Sequence, residues 1–318
     1  MKNLGTIIEE ISGLKSVKDN GIKVIAHPKG EVGNGNEDLA AFIAATNSKY
    51  FNSSSDELLG DFVELHFEND EYIRINTSDI DDTSSIEDIV NESLSYCDNI
   101  RDDAHSVINN MSNYESIKDK LILRPLNLTS NKAALNGACY INNGDVALVL
   151  YLVIKEDDKT MNTAKVPEDI VKLWGINRMS VMIDAMNNTA KKYPARMFTN
   201  LLNINDASDS ESDFMSDTYN KKLNSGVIPM VTTTKKTNGA ISLFYPEVKE
   251  KIAEMFGDSF YVAFTSIHEA MLHKKGTLEP SDIRRHVRAT NRTFGPEETL
   301  SDEVFFYDSV NKTFSVVE

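Results

Sequence analysis

The chain has 318 residues, with 33 Lys and Arg against 49 Asp and Glu, a net charge of −16 and 41% hydrophobic residues. This composition excludes collagen-like, coiled-coil and wholly disordered chains, and the length suits one large domain or two smaller ones. Cys97 and Cys139 are the only cysteines, too few for a disulfide framework, so a reducing cytoplasm is the expected setting.

The opening stretch MKNLGTIIEEISGLKS lacks the apolar core and small-residue cleavage site of a signal peptide. Its apolar positions Leu4, Ile7, Ile8 and Ile11 recur at helical spacing, and Gly13 is a plausible stop. A strand over Ile22–His27 follows, then a Gly/Asn-rich loop from Pro28 to Asn36. Asn36 is a candidate cap for a helix bearing Leu39, Phe42 and Ile43. Phe62–Phe67 and Tyr72–Asn76 flank the polar Glu68–Glu71 segment and read as a hairpin. Ser84 and Glu87 form a capping box opening a helix with Ile86, Ile89, Val90, Leu94 and Cys97 on one face.

From residue 120 the pattern changes. Leu121–Leu126 reads as a strand. So does Val146–Ile154, whose unbroken apolar sequence suits a strand covered on both faces. It is also the longest apolar run in the chain, too short to span a bilayer. Pro167 marks the first position of a helix bearing Ile170, Val171 and Trp174, stopped by Gly175. A helix over Ser180–Asn188 buries Val181, Met182, Ala185 and Met186, and residues 205–221 read as a polar linker.

Strands near Val227–Thr233 and Gly239–Tyr245 are joined through Asn238-Gly239, a hairpin signal. A helix from Pro246 to Gly257, a strand over Phe260–Phe264 and a helix over Ser281–Asn291 come next. The strands Val304–Tyr307 and Thr313–Val317 close the chain. Strands and helices mix without βαβ alternation, so the expected class is α+β. The expectation is largely antiparallel sheets with helices packed on one side, divided into an acidic subdomain 1–119 and a second domain 120–318 with a polar loop near 203–222.

The charge is uneven. Residues 51–110 hold sixteen acids against two bases, Arg74 and Arg101, while the remainder is nearly balanced. Such a field repels nucleic acid and attracts basic surfaces. Asp79, Asp81, Asp82, Glu87, Asp88 and Glu92 are therefore the candidate binding acids, and the plain alternative is a solvated face. A second run, Asp206, Asp209, Glu211, Asp213 and Asp217, departs from an EF-hand. Counted from Asp209, Phe214 stands where the loop needs Gly and Asn220 where it needs Glu. Against the acidic background, Arg284, Arg288 and Arg292 recur at i, i+4 and i+8. They form either a solvated face paired with nearby Glu or an anion-docking stripe.

His268-Glu269 invites a zinc reading, but the second histidine, His273, stands at i+5. The pairing needs i+4 on a helix, and an odd offset on a strand parts the two rings. No phosphate-binding glycine loop or nucleophile elbow occurs, and neither cysteine has a convincing partner. No metal and no cofactor are expected. The remaining candidates for a site assembled from distant residues are His268, Glu269, Asn188 and Asp145, with Arg284, each near a strand or helix end.

Several stretches together resemble an uncharacterised family, a domain of unknown function common in gut Firmicutes and carried by their phages and mobile elements. They are VKDNG at 17–21, YIRIN at 72–76 with the Ser84–Cys97 helix, LRPLN at 123–127 with Asn131, and GDVALVLYLVI at 144–154. LWGI at 173–176, Ala185 with Asn188 and Thr189, the segment Gly239–Pro246, Ser266 with His268 and Glu269, and LSDEVFFYD at 300–308 complete the resemblance. It implies an intracellular phage or bacterial setting, in the host cytoplasm, and carries no catalytic residue set. The expected function is that of a non-enzymatic interaction protein of a phage or mobile element, acting through its surface; a sharper variant of that reading makes the acidic third a DNA mimic that occupies a nucleic-acid-binding or defence protein of the host. Direct nucleic-acid or membrane binding is not expected. An enzyme with a site around His268 and Glu269, or a virion-associated structural protein, are the alternatives.

Overall fold

The computed structural model describes residues 3–27, 61–67, 72–77, 80, 85–132, 134–156, 161–199, 213–224, 226–293 and 298–317. The proposed Asn36-capped helix, the Pro28–Asn36 loop, the Glu68–Glu71 turn, Ser84 and the acidic residues 206–211 lie outside them. Among the described residues, helices and antiparallel sheets are mixed, with no closed barrel, which is the α+β class. The chain divides into two compact units, residues 1–117 with 152–165, and residues 118–151 with 166–318.

The first unit opens with α1 (Leu4–Gly13), capped by the Asn3 side chain, which accepts from the Thr6 N–H at 2.9 Å. Helix α2 (Lys15–Asp19) leads into β1 (Lys23–His27). This strand pairs antiparallel with β2 (Phe62–His66), which in turn pairs with β3 (Tyr72–Asn76). Alternation sends Val63, Leu65, Ile73 and Ile75 to one buried face, where they join Ile7 and Ile11 of α1. Helix α3 spans Ile86–Asn110, so it includes the polar stretch after residue 98. Its cap is Ser85, whose Oγ accepts from the Asp88 N–H at 3.2 Å, one residue later than the capping box predicts. Ile86, Ile89, Val90 and Cys97 bury one side of this helix. A short helix α4 (Tyr114–Ile117) follows, and β7 (Met161–Lys165) pairs with β6 (Val146–Glu156), whose residues 152–156 belong to this unit.

In the second unit, β4 (Leu121–Asn127) and β5 (Tyr140–Asn143) flank β6 (Val146–Glu156), of which residues 146–151 belong to this unit; the strand is buried from Val146 to Ile154, as its sequence predicts. Helix α5 (Glu168–Leu173) starts one residue after Pro167, which is its cap rather than its first turn. Helix α6 (Arg178–Lys192) buries Val181, Met182, Ala185 and Thr189, with Met186 half-exposed. A six-stranded sheet follows, in the order β13-β12-β10-β11-β9-β8. Its strands are β8 (Ala195–Phe198), β9 (Met230–Thr233), β10 (Phe260–Phe264), β11 (Ala270–Lys274), β12 (Val304–Asp308) and β13 (Thr313–Val316). Helices α7 (Val248–Phe256) and α8 (Pro280–Asn291) complete the unit.

One predicted strand is absent. Gly239–Phe244 is a buried 3-10 helix. Asn238 adopts the left-handed conformation, with φ 52°, as the Asn-Gly signal implies. The hairpin still fails because both edges of β9 are taken by β8 and β11. Glycine is required here by space: a Cβ on Gly239 would stand 2.0 Å from Thr232 Oγ1 and 2.4 Å from the His268 carbonyl oxygen.

Candidate functional site

The sheet and α8 form a cavity of about 600 Å3 that is open to solvent on one side, within the usual range for small-molecule sites. Its floor follows from strand alternation. Met230 and Thr232 come from β9, Ala263 from β10 with Thr265 just beyond its end, and Met271 and His273 from β11, preceded by Glu269. Met271 stands between its register partners Met230 and Ala263. The roof is one helical face at i, i+3, i+4 and i+7, formed by Ile283, His286, Val287 and Thr290. Ile228 and Lys236, both exposed, line the rim.

Polar groups sit at two places on this apolar wall. Thr265 Oγ1 donates to Glu269 Oε1 at 3.0 Å. Lys236 belongs to the same end, since the turn that carries it delivers the Asn238 N–H to His268 Nδ1 at 3.1 Å. Four strand residues away, about 13 Å, stands His273. It is 9% exposed, and its Nδ1 is buried with no hydrogen-bond partner. Burial, helped by the nearby His286 imidazole, holds its pKa below the ordinary histidine value.

The sequence-nominated residues do not meet there, apart from Glu269. His268 accepts from Asn238, while its backbone N–H donates to Ser266 Oγ at 2.9 Å and its carbonyl oxygen accepts from Thr232 Oγ1 at 2.7 Å. It therefore fixes the approach to β11. Asn188 Nδ2 donates to the carbonyls of Lys118 and Leu121 at 2.7 and 3.1 Å. Beside it, Thr189 Oγ1 accepts from the Leu123 N–H at 2.9 Å and donates to the Ala185 carbonyl at 2.6 Å. Together they staple α6 to β4.

Asp145 Oδ1 accepts from Ser301 Oγ at 2.7 Å and its Oδ2 from Asn127 Nδ2 at 3.3 Å, while Asn127 also donates to the Leu300 carbonyl at 2.9 Å. Burial raises the Asp145 carboxyl pKa against the opposing hydrogen bond from Ser301. This clasp gathers the Asn of LRPLN, the Asp of the central-strand motif and the Ser of LSDEVFFYD. Its geometry is that of a structural tie.

Arg284 and Arg288 of the basic stripe share one acid. Arg284 Nε lies 3.0 Å from Glu303 Oε2, and an Arg288 terminal nitrogen lies 2.9 Å from Glu303 Oε1. Arg292 is the exposed C-cap of α8. Among the candidate acids, Glu87, Asp88 and Glu92 are exposed on α3, whereas Asp79, Asp81 and Asp82 lie outside the described residues. Glu64, counted with the acidic region, is buried instead, its Oε2 2.8 Å from His66 Nε2. Both cysteines are buried and neither is in a disulfide, and burial pushes the Cys139 thiol up to about 11. Among the described residues, no group of three or more His, Cys, Asp or Glu could hold a metal ion. Nor is any described helix long and apolar enough to cross a membrane.

Most of the cavity escapes a sequence reading because Ala270–Lys274 carries no strong strand signal. With that strand given, Glu269, Met271 and His273 fall on one face and the α8 residues follow from their spacing.

These features describe an α+β protein with an apolar cavity between an antiparallel sheet and a single helix. Residues 72–309 match the model of a family of unknown function, DUF5688, and the chain belongs to that family. No curated protein and no solved structure matches the chain.

Proposed function

We propose that the protein acts by binding rather than by catalysis, and that its second unit takes up a small, largely apolar guest between α8 and the sheet. The cavity carries this reading: Met230, Ala263, Met271, Ile283 and Val287 wall about 600 Å3, and burying an apolar guest against such a surface is favourable. Met230 and Met271 suit the role, since methionine adapts its shape at little cost. The test is methyl NMR of the intact chain titrated with decanol. The Met230 and Met271 methyl signals are expected to shift and saturate together. Unmoved signals up to the solubility limit of decanol would overturn the reading.

A second reading has its own observation. Glu87, Asp88, Glu92 and Asp98 are exposed on the side of α3 away from its buried Ile86, Ile89, Val90 and Cys97. Together with the phage and mobile-element setting implied by resemblance, and a bacterial cytoplasmic location, this acidic face supports docking of a partner with a basic surface, in the manner of a DNA mimic. Neutralising these four acids to their amides is expected to abolish capture of a nucleic-acid-binding protein from a bacterial lysate. An unchanged catch would leave the face as solvated surface.

A further inference from the structure

We propose that the guest of this cavity is an amphipathic monocarboxylate, its chain lying along the methionine floor and its head group held by the imidazoles of His273 and His286. The inference rests on the cavity reading and adds the chemistry of the head group.

Three observations converge. First, His273 lines the cavity at 9% exposure with its Nδ1 buried and unpartnered. A buried ring that satisfies no protein group is uncommon, because such polar groups ordinarily find partners. A lone pair without a partner costs less than an N–H without one. The neutral ring therefore carries its proton on Nε2 and offers a donor there, which selects a guest bearing an acceptor.

Second, a second imidazole faces the first. His286 lines the same cavity from α8 and is exposed. Two imidazoles that repel each other when charged are relieved by an anion between them. The direction of the His273 shift has the same origin, burial first and His286 second.

Third, the opposite end is the poorer seat for an acid head. There Glu269 brings its own carboxylate, bonded to Thr265, and its like charge opposes the guest's, offset in part by the Lys236 ammonium on the same rim. Glu269 is the one acid among the cavity's described lining residues, so the His273 end, which lacks one, is where the head group goes. Tyr261 is the register partner of His273 on β10.

Calorimetry on the intact chain with decanoate and with decanol, at pH 6 and pH 8, tests this directly. Decanoate stays ionised across that range, so a change in its affinity relative to decanol reports on the protein. Decanoate is expected to bind about tenfold more tightly than decanol at pH 6, the scale of one charge-assisted hydrogen bond. The advantage should shrink at pH 8, where the His273 imidazole, its pKa held below the ordinary histidine value, is neutral. The double variant His273→Gln/His286→Gln is expected to lose the preference at both pH values. If decanol binds but decanoate shows no pH-dependent advantage, the carboxylate inference is wrong and the apolar cavity reading stands. If neither ligand binds the unmodified protein, both fail. The pH comparison on the unmodified chain needs no variant to fold.

Discussion

Each of the two units is built, within itself, on a different chemistry. In the first, the core is aliphatic: Ile7, Ile11, Val63, Leu65, Ile73, Ile75, Ile89 and Val90 fill it, with Phe67 partly buried against it. In the second, aromatic rings meet in series. Phe244 stacks on Phe264 at 5.9 Å between ring centroids, Phe264 meets Phe305 edge-on at 5.1 Å, and Phe260 packs against Tyr307 at 5.4 Å. Buried polar ties cross this unit as well, from Thr189 to Leu123 and from Asp145 to Ser301. An aliphatic core specifies volume and little else, whereas a hydrogen-bonded tie specifies which two elements meet and at which residue.

The largest expected break falls where the second unit tolerates no extra atom. In Gly239→Ala the new Cβ would meet Thr232 Oγ1, the His268 carbonyl oxygen and, at 2.8 Å, the Thr233 backbone nitrogen. Two of these three atoms are backbone and cannot swing aside. A loss of about 3 kcal/mol is expected, read from urea unfolding followed by the fluorescence of Trp174, the only tryptophan. The loss should come with weaker decanol binding, because the displaced segment carries β9 and the approach to β11.

A sharper comparison uses one kind of change, loss or exchange of a few atoms within an unchanged outline, in both units. Ile73→Val in the aliphatic core removes one methyl and is expected to cost about 1 kcal/mol. Thr189→Val keeps the shape of the side chain but strands the Leu123 N–H inside the protein and loses the bond to the Ala185 carbonyl. A buried donor left unsatisfied costs about 2 kcal/mol, so the nearly isosteric change should cost about twice as much as the cavity-forming one. Thr189→Ser keeps both hydrogen bonds and should recover most of the loss. Equal costs for Ile73→Val and Thr189→Val would show that the tie adds no more than volume does.

The same difference decides how much of the molecule can be read from its sequence. Period-two and period-3.6 patterns of Ile, Leu and Val mark α1, β2, β3 and α3 directly, since an aliphatic face repeats with its element. The long apolar strand β6 and helix α8 are legible for the same reason. The ties are not, because Asn127 meets Leu300, Asp145 meets Ser301 and Leu123 meets Thr189 across long stretches of chain that no local pattern connects. Gly239–Phe244 reads as a strand because its apolar run is real, and its helical conformation depends on the occupied edges of β9. Glu269 is legible as a site residue through its neighbour His268. His273 is weighed only as a zinc ligand, because its place opposite His286 depends on strand β11 and on the packing of α8.

The smallest expected effect is a pH dependence confined to the second unit. His273 has its pKa lowered in the folded protein by burial and by His286, while in the unfolded chain it returns to the ordinary histidine value of about 6.5. Below that value the unfolded chain takes up a proton that the folded ring refuses. Stability therefore rises with pH across the interval between the folded and unfolded pKa values. The contribution is fully present above about pH 6.5 and is lost as the pH falls through the folded value. His273→Gln removes the titrating group, so its unfolding free energy should depend less steeply on pH than that of the unmodified protein between pH 6.5 and 5. If the two slopes are the same, His273 takes up its proton at the same pH in the folded and the unfolded chain, and burial does not hold the ring neutral. The imidazole at the end of the cavity would then charge at a higher pH than a buried ring does, and the decanoate advantage should extend further toward neutral pH.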